Sequence, residues 1–315
     1  MLIIAVVIIF FGYFVVDNLL FNGIKPQLIN VNNFQANYFS KKNIQNKTTV
    51  ILIGVGQWGD YWGQKFASKN MVGLSIPYTG KIGLPKLPEE IELSYFKNVI
   101  DWLQQQPQVN PNKIVVMGAS RNAELSLILA SIFPNSISGV IAYAPSSVSW
   151  SNTVLPYNSD TIKASWTYNG NDIPYIPMSK LAADDSETID MLAYWQKGLG
   201  KSNAVKKATI KVENIKGSIL LFSGMNDKVW PSSTMADMIE KRLKHKDFDY
   251  TFENIKYQNA GHLISTNPDS KTGIRTGNIH INGINYKYDF GGNDEGDFKA
   301  KQDANIKVFD FLNKL

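Results

Sequence analysis

Short apolar runs alternate with amphipathic segments over most of the chain. Continuous β-branched runs are typical of strands buried on both faces of a sheet, and the predicted strands cover residues 48–54, 71–78, 113–117, 138–144, 219–223 and 252–257. Apolar residues at helical spacing predict helices over residues 60–68, 89–105, 123–133, 233–243 and 298–315. Strands that alternate with helices predict an α/β fold, with a mostly parallel central sheet and helices on both faces.

Two segments depart from this alternation. Residues 22–48 are polar and rich in asparagine, with one or two short edge strands expected around residues 34–39. Residues 146–215 are rich in Trp, Tyr, Pro and Asn, and they are a candidate lid inserted over the active site. Because no stretch inside 46–315 resembles a linker, we expect a single domain over residues 22–315.

The amino terminus is an apolar segment of a different kind. Residues 1–16 contain no charged side chain, and Asp17 and Asn18 separate them from three further apolar residues. A spanning helix needs about 20 apolar residues, and neither a basic n-region nor a small-residue cleavage site of a signal peptide is present. We expect residues 1–21 to form a hydrophobic helix that anchors the protein in a membrane by a single pass. A cleaved signal peptide and a buried helix are the alternatives, and the sequence does not fix the sidedness.

Composition excludes several kinds of chemistry. The chain has no cysteine, which excludes disulfides, thiolate metal sites and a cysteine nucleophile. Its net charge of +5 comes from scattered lysines, with the densest cluster over residues 241–246 at an expected helix end, where cations complement the helix dipole. Nucleic-acid binding needs basic and aromatic residues interleaved on one face, so we expect no nucleic-acid partner. No metal or cofactor is implied.

A candidate nucleophile lies between a predicted strand and a predicted helix. The sequence Gly118-Ala-Ser120-Arg-Asn122 matches the G-x-S-x-G nucleophile elbow, with Asn122 in place of the last glycine. This turn raises the serine hydroxyl above the sheet, and the N–H of Arg121 at the helix start is suited to stabilise an oxyanion. We therefore predict Ser120 as the nucleophile.

An acid and a base follow Ser120 in the chain order Ser, Asp, His that this elbow requires. Asp227 follows the strand 219–223, and His262 follows the strand that ends at residue 257. The other two histidines, His245 and His280, do not follow a strand. The sequence thus predicts an α/β-hydrolase fold with a Ser120–His262–Asp227 triad. The alternatives for the acid are Asp172, Asp184 and Asp185.

The loop after the first long strand is the expected source of a second oxyanion donor. It has the sequence Gly54-Val-Gly56-Gln57-Trp58-Gly59, whose glycines let backbone amides point at a carbonyl oxygen. Gly56 or Gln57 is the predicted donor.

Several longer matches identify a family. Over residues 30–315 the chain resembles the C-terminal catalytic domain of acyl-CoA thioesterases and bile acid-CoA:amino acid N-acyltransferases. The matching segments are 84–88, 118–127, 144–150, 165–170, 210–217, 227–233 and 261–264. The resemblance implies an α/β-hydrolase fold, catalysis by the same three residues and an acyl-CoA-like substrate.

The chain departs from this family in three ways. Larger members have an N-terminal immunoglobulin-like β domain, whereas this chain has the apolar segment 1–21 in its place. Asn122 replaces the elbow glycine, and the nucleophile is serine, whereas the transferase branch uses cysteine. The resemblance therefore favours hydrolysis over aminoacyl transfer.

Together these features predict a membrane-anchored hydrolase of acyl thioesters. The aromatic side chains of the candidate lid either cover an acyl chain or pack within the domain; they are Trp150, Trp166, Tyr168, Tyr175, Tyr194 and Trp195. The alternative function is a carboxylesterase or peptidase with the same triad, because one fold hosts many substrates. A more distant alternative is a non-catalytic binding protein.

Overall fold

The computed structural model describes residues 24–31, 34–152, 161–179, 181, 187–281 and 284–315. The strands within these ranges are β1 (Gln27–Val31), β2 (Phe34–Phe39), β3 (Lys47–Ile53), β4 (Val72–Ile76), β5 (Ile91–Glu92), β6 (Val109–Ala119), β7 (Gly139–Tyr143), β8 (Trp166–Tyr168), β9 (Asn171–Asp172), β10 (Ser218–Gly224), β11 (Phe252–Tyr257), β12 (Thr276–Ile281) and β13 (Ile284–Asp289). The helices are α1 (Gln57–Ser68), α2 (Ser94–Gln104), α3 (Arg121–Ile132), α4 (Met191–Leu199), α5 (Ser202–Ala208), α6 (Ser232–His245) and α7 (Asp294–Lys314), and a short 3₁₀ helix covers Val212–Asn214.

The central sheet has eight strands in the order β1-β2-β4-β3-β6-β7-β10-β11. Every neighbouring pair from β4 to β11 is parallel, whereas β1 and β2 are antiparallel additions at one edge. Strands β4 and β7 are buried at every position, as expected of continuous apolar runs in a sheet that is covered on both faces. The predicted mostly parallel sheet and its short edge strands are therefore confirmed.

Helices cover both faces of this sheet because the strand side chains alternate between two cores. In β3, Ile51 and Ile53 contribute to the core that includes residues of α2, α3 and α6. Val50 and Leu52 of the same strand contribute to the opposite core, with residues of α1 and α7. The carboxyl edge of the parallel strands lies between these helical layers, and it carries the loops described below.

Two smaller sheets lie outside the central one. Strands β5, β8 and β9 form a three-stranded sheet, and β12 and β13 form an antiparallel hairpin. The hairpin contains His280, in a segment for which the sequence predicted no strand. Its burial pattern has only two buried positions in β12 and one in β13, so the periodic apolar signal of a strand is weak there.

The predicted membrane anchor requires correction. No helix in the described part of the chain is long and apolar enough to cross a membrane. The longest of the described helices, α7, has 21 residues but carries acidic and basic side chains along its length, whereas a spanning helix needs about 20 apolar residues. The expected hydrophobic helix and single-pass membrane localisation are therefore not supported. Residues 1–21, on which they were based, lie outside the described residues.

Candidate active site

Ser120 occupies a strained turn between strand β6 and helix α3. Its φ of 58° and ψ of −123° lie in a region that non-glycine residues rarely adopt. Its backbone N–H donates to the carbonyl of Tyr143 in the neighbouring strand β7 at 2.9 Å, which helps to hold the turn. The strand and helix approach so closely that a Cβ on Gly118 would lie 2.2 Å from the carbonyl oxygen of Asn122. The first glycine of the elbow is therefore required by space.

Asp227 is buried in the loop after β10, with its carboxylate fixed on both oxygens. Oδ1 accepts hydrogen bonds from the N–H groups of Val229 at 2.9 Å and Trp230 at 3.2 Å. Oδ2 accepts from the hydroxyl of Ser232 at 2.7 Å and lies 2.8 Å from Nδ1 of His262. The backbone donors set the orientation of the carboxylate, so that Oδ2 faces the imidazole.

His262 lies in the loop after β11, and its side chain is buried on several sides. Its backbone N–H donates to the carbonyl of Phe290 at 2.9 Å. The ring of Trp230 packs edge-on against the imidazole, with 6.0 Å between ring centroids, and Phe290 stacks over it at 6.5 Å. When Nδ1–H donates to Asp227, the proton is absent from Nε2 of the neutral imidazole. Nε2 is then able to act as a base.

The three predicted residues follow strands that end at one edge of the sheet. Strands β6, β10 and β11 are parallel, with only β7 between β6 and β10. Of the alternative acids, Asp172 is exposed in β9 of the small sheet, and residues 184 and 185 lie outside the described residues. The geometry pairs Asp227 with His262.

A network that the sequence did not predict supports the His262 loop from behind. Asp297, buried in the first turn of α7, accepts a hydrogen bond on Oδ1 from the N–H of Gly261 at 2.7 Å. Its Oδ2 forms an ion pair with Arg275, which also donates to the carbonyl of Gly291 at 2.9 Å. Because Gly261 precedes His262, Asp297 anchors the backbone that presents the imidazole. In sequence, an acidic residue at a helix start is explained by the helix dipole alone.

The predicted oxyanion donors lie at the starts of two helices that follow adjacent strands. Gln57 is the first residue of α1 after β3, and Arg121 is the first residue of α3 after β6. The N–H groups of the first helical residues have no partner within their helix. Gly56 caps α1 with a φ of 76°, which glycine adopts without strain. Both donor positions thus lie at the carboxyl edge of the sheet.

The glycines of this loop also have the G-x-G-x-x-G spacing of a dinucleotide-binding turn. In such a site an acidic residue about 20 positions later contacts the ribose. Here strand β4 ends at Ile76 and is followed by Pro-Tyr-Thr-Gly, with no acidic residue. Gly59 instead allows α1 to pack on β4, because a Cβ there would lie 2.2 Å from the hydroxyl of Ser75. The loop therefore lacks the acidic part of a dinucleotide site.

Asn122, which replaces the elbow glycine, connects the elbow to the glycine loop. Its Oδ1 accepts a hydrogen bond from the hydroxyl of Tyr78 at 2.8 Å. Its Nδ2 lies 3.2 Å from the position that a Cβ would occupy on Gly54. The Asn122 side chain thus lies between Tyr78 and the glycine loop.

We expect Asn122→Ala to lower kcat about three- to tenfold, roughly 1 kcal/mol, with little change in KM. The substitution removes the side chain that packs against Gly54 and so loosens the loop that is expected to bind the oxyanion. Tyr78→Phe should have a smaller effect of the same kind, because it removes the hydrogen bond to Asn122 and keeps the Asn122 side chain in place. Steady-state kinetics measure both, with Tyr38→Phe on strand β2 as the control. An Asn122→Ala enzyme with wild-type kcat would contradict this role.

The Arg121 side chain binds the 146–215 segment. It forms an ion pair with Glu124 and donates to the carbonyl of Trp150 at 3.3 Å. Glu124 is fully buried and accepts from the N–H of Trp150 at 3.1 Å and the indole of Trp166 at 2.9 Å. Burial raises the pKa of Glu124, and Arg121 and these hydrogen bonds oppose that shift. Glu124 thus links the start of α3 to Trp150 and Trp166 of the 146–215 segment.

The tryptophans of the candidate lid pack inside the protein. Trp150, Trp166 and Trp195 are each at most 2% exposed. Trp195 packs between Trp150 and Trp230, with ring centroids 4.7 Å from that of Trp150 and 5.3 Å from that of Trp230. This burial favours packing within the domain over covering an acyl chain for these three side chains. Whether the segment acts as a lid stays a prediction.

A parallel sheet between two helical layers, with a serine turn at its carboxyl edge, defines the α/β-hydrolase fold. A putative dienelactone hydrolase from Klebsiella pneumoniae has a similar solved structure, with a TM-score of 0.53 and 11% identity over 90% of this chain and 93% of that one. The chain belongs to the BAAT / acyl-CoA thioester hydrolase C-terminal family, whose model matches residues 91–315.

Curated relatives agree with this family. Mouse (Mus musculus) mitochondrial acyl-coenzyme A thioesterase 2 is 29% identical over 216 residues, which is 68% of this chain and 44% of the relative. Mouse acyl-coenzyme A thioesterase 1 is 28% identical over 68% of this chain and 48% of its own length. The chain thus matches about half the length of these relatives.

Proposed function

We propose that this protein is a serine hydrolase that cleaves acyl thioesters, with acyl-CoA as the substrate class. The observation that carries the proposal is the 2.8 Å contact between Nδ1 of His262 and Oδ2 of Asp227, at the sheet edge where β6 ends in the Ser120 turn. Family membership and the thioesterase relatives support the substrate class.

In the first half-reaction, the hydroxyl oxygen of Ser120 attacks the thioester carbonyl while Nε2 of His262 accepts its proton. The N–H groups of Arg121 and of Gln57 or Gly56 stabilise the oxyanion. Collapse of this intermediate breaks the carbon–sulfur bond, and the thiolate takes the proton from His262. The products of this step are a free thiol and an acyl group esterified to Ser120.

In the second half-reaction, water replaces the thiol. His262 accepts a proton from water as the water oxygen attacks the acyl ester, and the same N–H groups stabilise the second oxyanion. The bond to the Ser120 oxygen then breaks, and that oxygen takes the proton from His262. A carboxylic acid leaves and the free enzyme is restored. Asp227 keeps the imidazole in one tautomer throughout and stabilises its protonated form.

We expect fatty acyl-CoA to be hydrolysed with a kcat/KM at least tenfold above that of a simple oxygen ester, a difference of about 1.4 kcal/mol in transition-state binding. A thiolate is a good leaving group, so a thioester depends less on proton delivery from His262 than an ester or amide does. The comparison is made at equal acyl chain length, so that contacts to the acyl group cancel. If the ester or a peptide amide is the better substrate, the carboxylesterase or peptidase alternative is supported.

A further inference from the structure

A cavity of about 570 Å³ adjoins the candidate active site. Helix α1, the loop 263–275 and helix α7 form its walls. Gln57, a predicted oxyanion donor, lines one part of it, and Leu263, the residue after His262, lines another. The cavity is therefore next to the place where the proposed function puts the reacting carbonyl and its base. Its volume lies in the range of about 300–1,000 Å³ that small-molecule sites occupy.

The lining combines apolar side walls with many hydrogen-bonding groups. Trp58, Tyr61, Leu263 and Ile274 supply the apolar surface, and Ile274 is 66% exposed. The polar side chains of the lining are those of Gln57, Thr266, Asn267, Ser270 and Thr272. The hydroxyls of Thr266 and Ser270 donate to the carbonyls of Leu263 and Thr272 within the loop, and Oδ1 of Asn267 accepts from the N–H of Asp269. The hydroxyl oxygens keep lone pairs that accept, and the amide groups of Gln57 and Asn267 keep donors, so a purely alkyl ligand would bury this remaining hydrogen-bonding capacity at a cost in free energy. An extended ligand that carries amide groups along a short carbon chain would satisfy these groups.

The two basic residues of the lining already have contacts within the protein, and only Arg275 is paired with carboxylates. Arg275 forms its ion pair with Asp297 and lies 3.4 Å from Asp294. The ammonium group of Lys301 donates to the carbonyl of Ser270 at 2.7 Å. The uncharged polar side chains of the lining therefore indicate the chemistry of the ligand.

The reaction itself decides which part of a thioester lies on this side. In the proposed mechanism the departing sulfur takes its proton from His262, so the thiol side of the substrate lies on the His262 side of the carbonyl. Leu263 extends from His262 into the cavity wall, and Gln57 marks the oxyanion side of the same wall. We propose that this cavity binds the pantetheine arm of the thiol carrier, an extended amide-bearing chain, while the acyl chain lies elsewhere. This inference rests on the proposed function.

Filling the cavity tests the assignment. Thr272→Trp and Ile274→Trp place large side chains at two exposed lining positions outside the proposed catalytic groups. The expected result is a roughly tenfold increase in KM for acyl-CoA with kcat unchanged, because the arm contributes equally to binding in the ground and transition states. For the same acyl group on N-acetylcysteamine, a short thiol, kcat/KM should stay at the wild-type value. Ile306→Trp, exposed on α7 outside this lining, is the matched control.

Other outcomes overturn the assignment. If kcat/KM falls equally for acyl-CoA and for the N-acetylcysteamine thioester, the variants disturb the active site in general. If the fall in kcat/KM grows with acyl chain length while the thiol is kept constant, the cavity binds the acyl group. Unchanged kinetics with acyl-CoA would show that the cavity has no role in substrate binding. If the wild type cleaves neither thioester, the proposed function fails. If only this inference is wrong, the wild type still cleaves both thioesters.

The same arm occurs in CoA and on acyl carrier protein, so the source is tested separately. Wild-type kcat/KM for acyl-CoA and for the same acyl group on acyl carrier protein are compared, and the larger value identifies the source. Both substrates should be sensitive to Ile274→Trp. Insensitivity of the preferred substrate would contradict the assignment.

Discussion

Ser120→Ala is expected to lower kcat by about four to six orders of magnitude, because the members of a catalytic triad act as a unit. Without the hydroxyl oxygen, no acyl-enzyme forms, and the paired His262 and Asp227 have no nucleophile to activate. The backbone N–H groups remain, so a low residual rate above the uncatalysed reaction should persist. Alanine keeps the same Cβ in the strained turn, so the melting temperature should not fall.

A second serine of the elbow helix controls for the loss of a hydroxyl. Ser131 lies in α3, and its hydroxyl donates to the carbonyl of Ile128 at 2.8 Å within that helix. Ser131→Ala should retain wild-type kcat. If Ser120→Ala keeps a substantial part of the activity while folding normally, Ser120 is not the nucleophile.

Asp227→Asn is expected to lower kcat by about three to four orders of magnitude, as the corresponding change does in serine proteases. The N–H groups of Val229 and Trp230 both donate to Oδ1, so they fix the amide oxygen of the asparagine at that position. The amide nitrogen then takes the place of Oδ2 and donates to Nδ1 of His262. That hydrogen bond favours the tautomer with its proton on Nε2, which is unable to accept the proton of Ser120.

Asp172→Asn is the matched control, because Asp172 was one of the alternative acids and is exposed in β9. It should retain wild-type kcat and KM, and circular dichroism should show that both variants are folded. A large loss in Asp172→Asn, together with an active Asp227→Asn, would assign the acid to the other position.

The parts of this molecule that the sequence predicted are those with a local signature. Strands β4 and β7 are buried on both faces, so every position had to be apolar or small, and the runs were visible without knowledge of their neighbours. The turn at Ser120 was visible because Gly118 has no room for a side chain. The contact between Asp227 and His262 could be expected from the sequence because each residue follows a predicted strand, and parallel strands end at a common edge; their catalytic role stays a prediction.

The parts that were missed depend on contacts between distant positions. Asp297 and Gly261 are 36 residues apart, and Glu124 and Trp166 are 42 apart; no periodic pattern marks such pairs. The many aromatic residues of the 146–215 segment did not show whether a ring faces a cavity or the core, and Trp150 and Trp195 prove to be buried. The β12–β13 hairpin was missed because most of its positions are not buried.

The central claim is that hydrolysis passes through an acyl group on Ser120, and trapping that group tests it most directly. A thiolate leaves readily, so deacylation should limit turnover and the acyl-enzyme should accumulate, with a burst of thiol close to one per enzyme. The measurement is mass spectrometry of the protein quenched in acid during turnover of fatty acyl-CoA, followed by peptide mapping. We predict one acyl group, on the peptide that contains Ser120, and none in Ser120→Ala. Turnover without acylation of Ser120, or an acyl group on another residue, would contradict the mechanism.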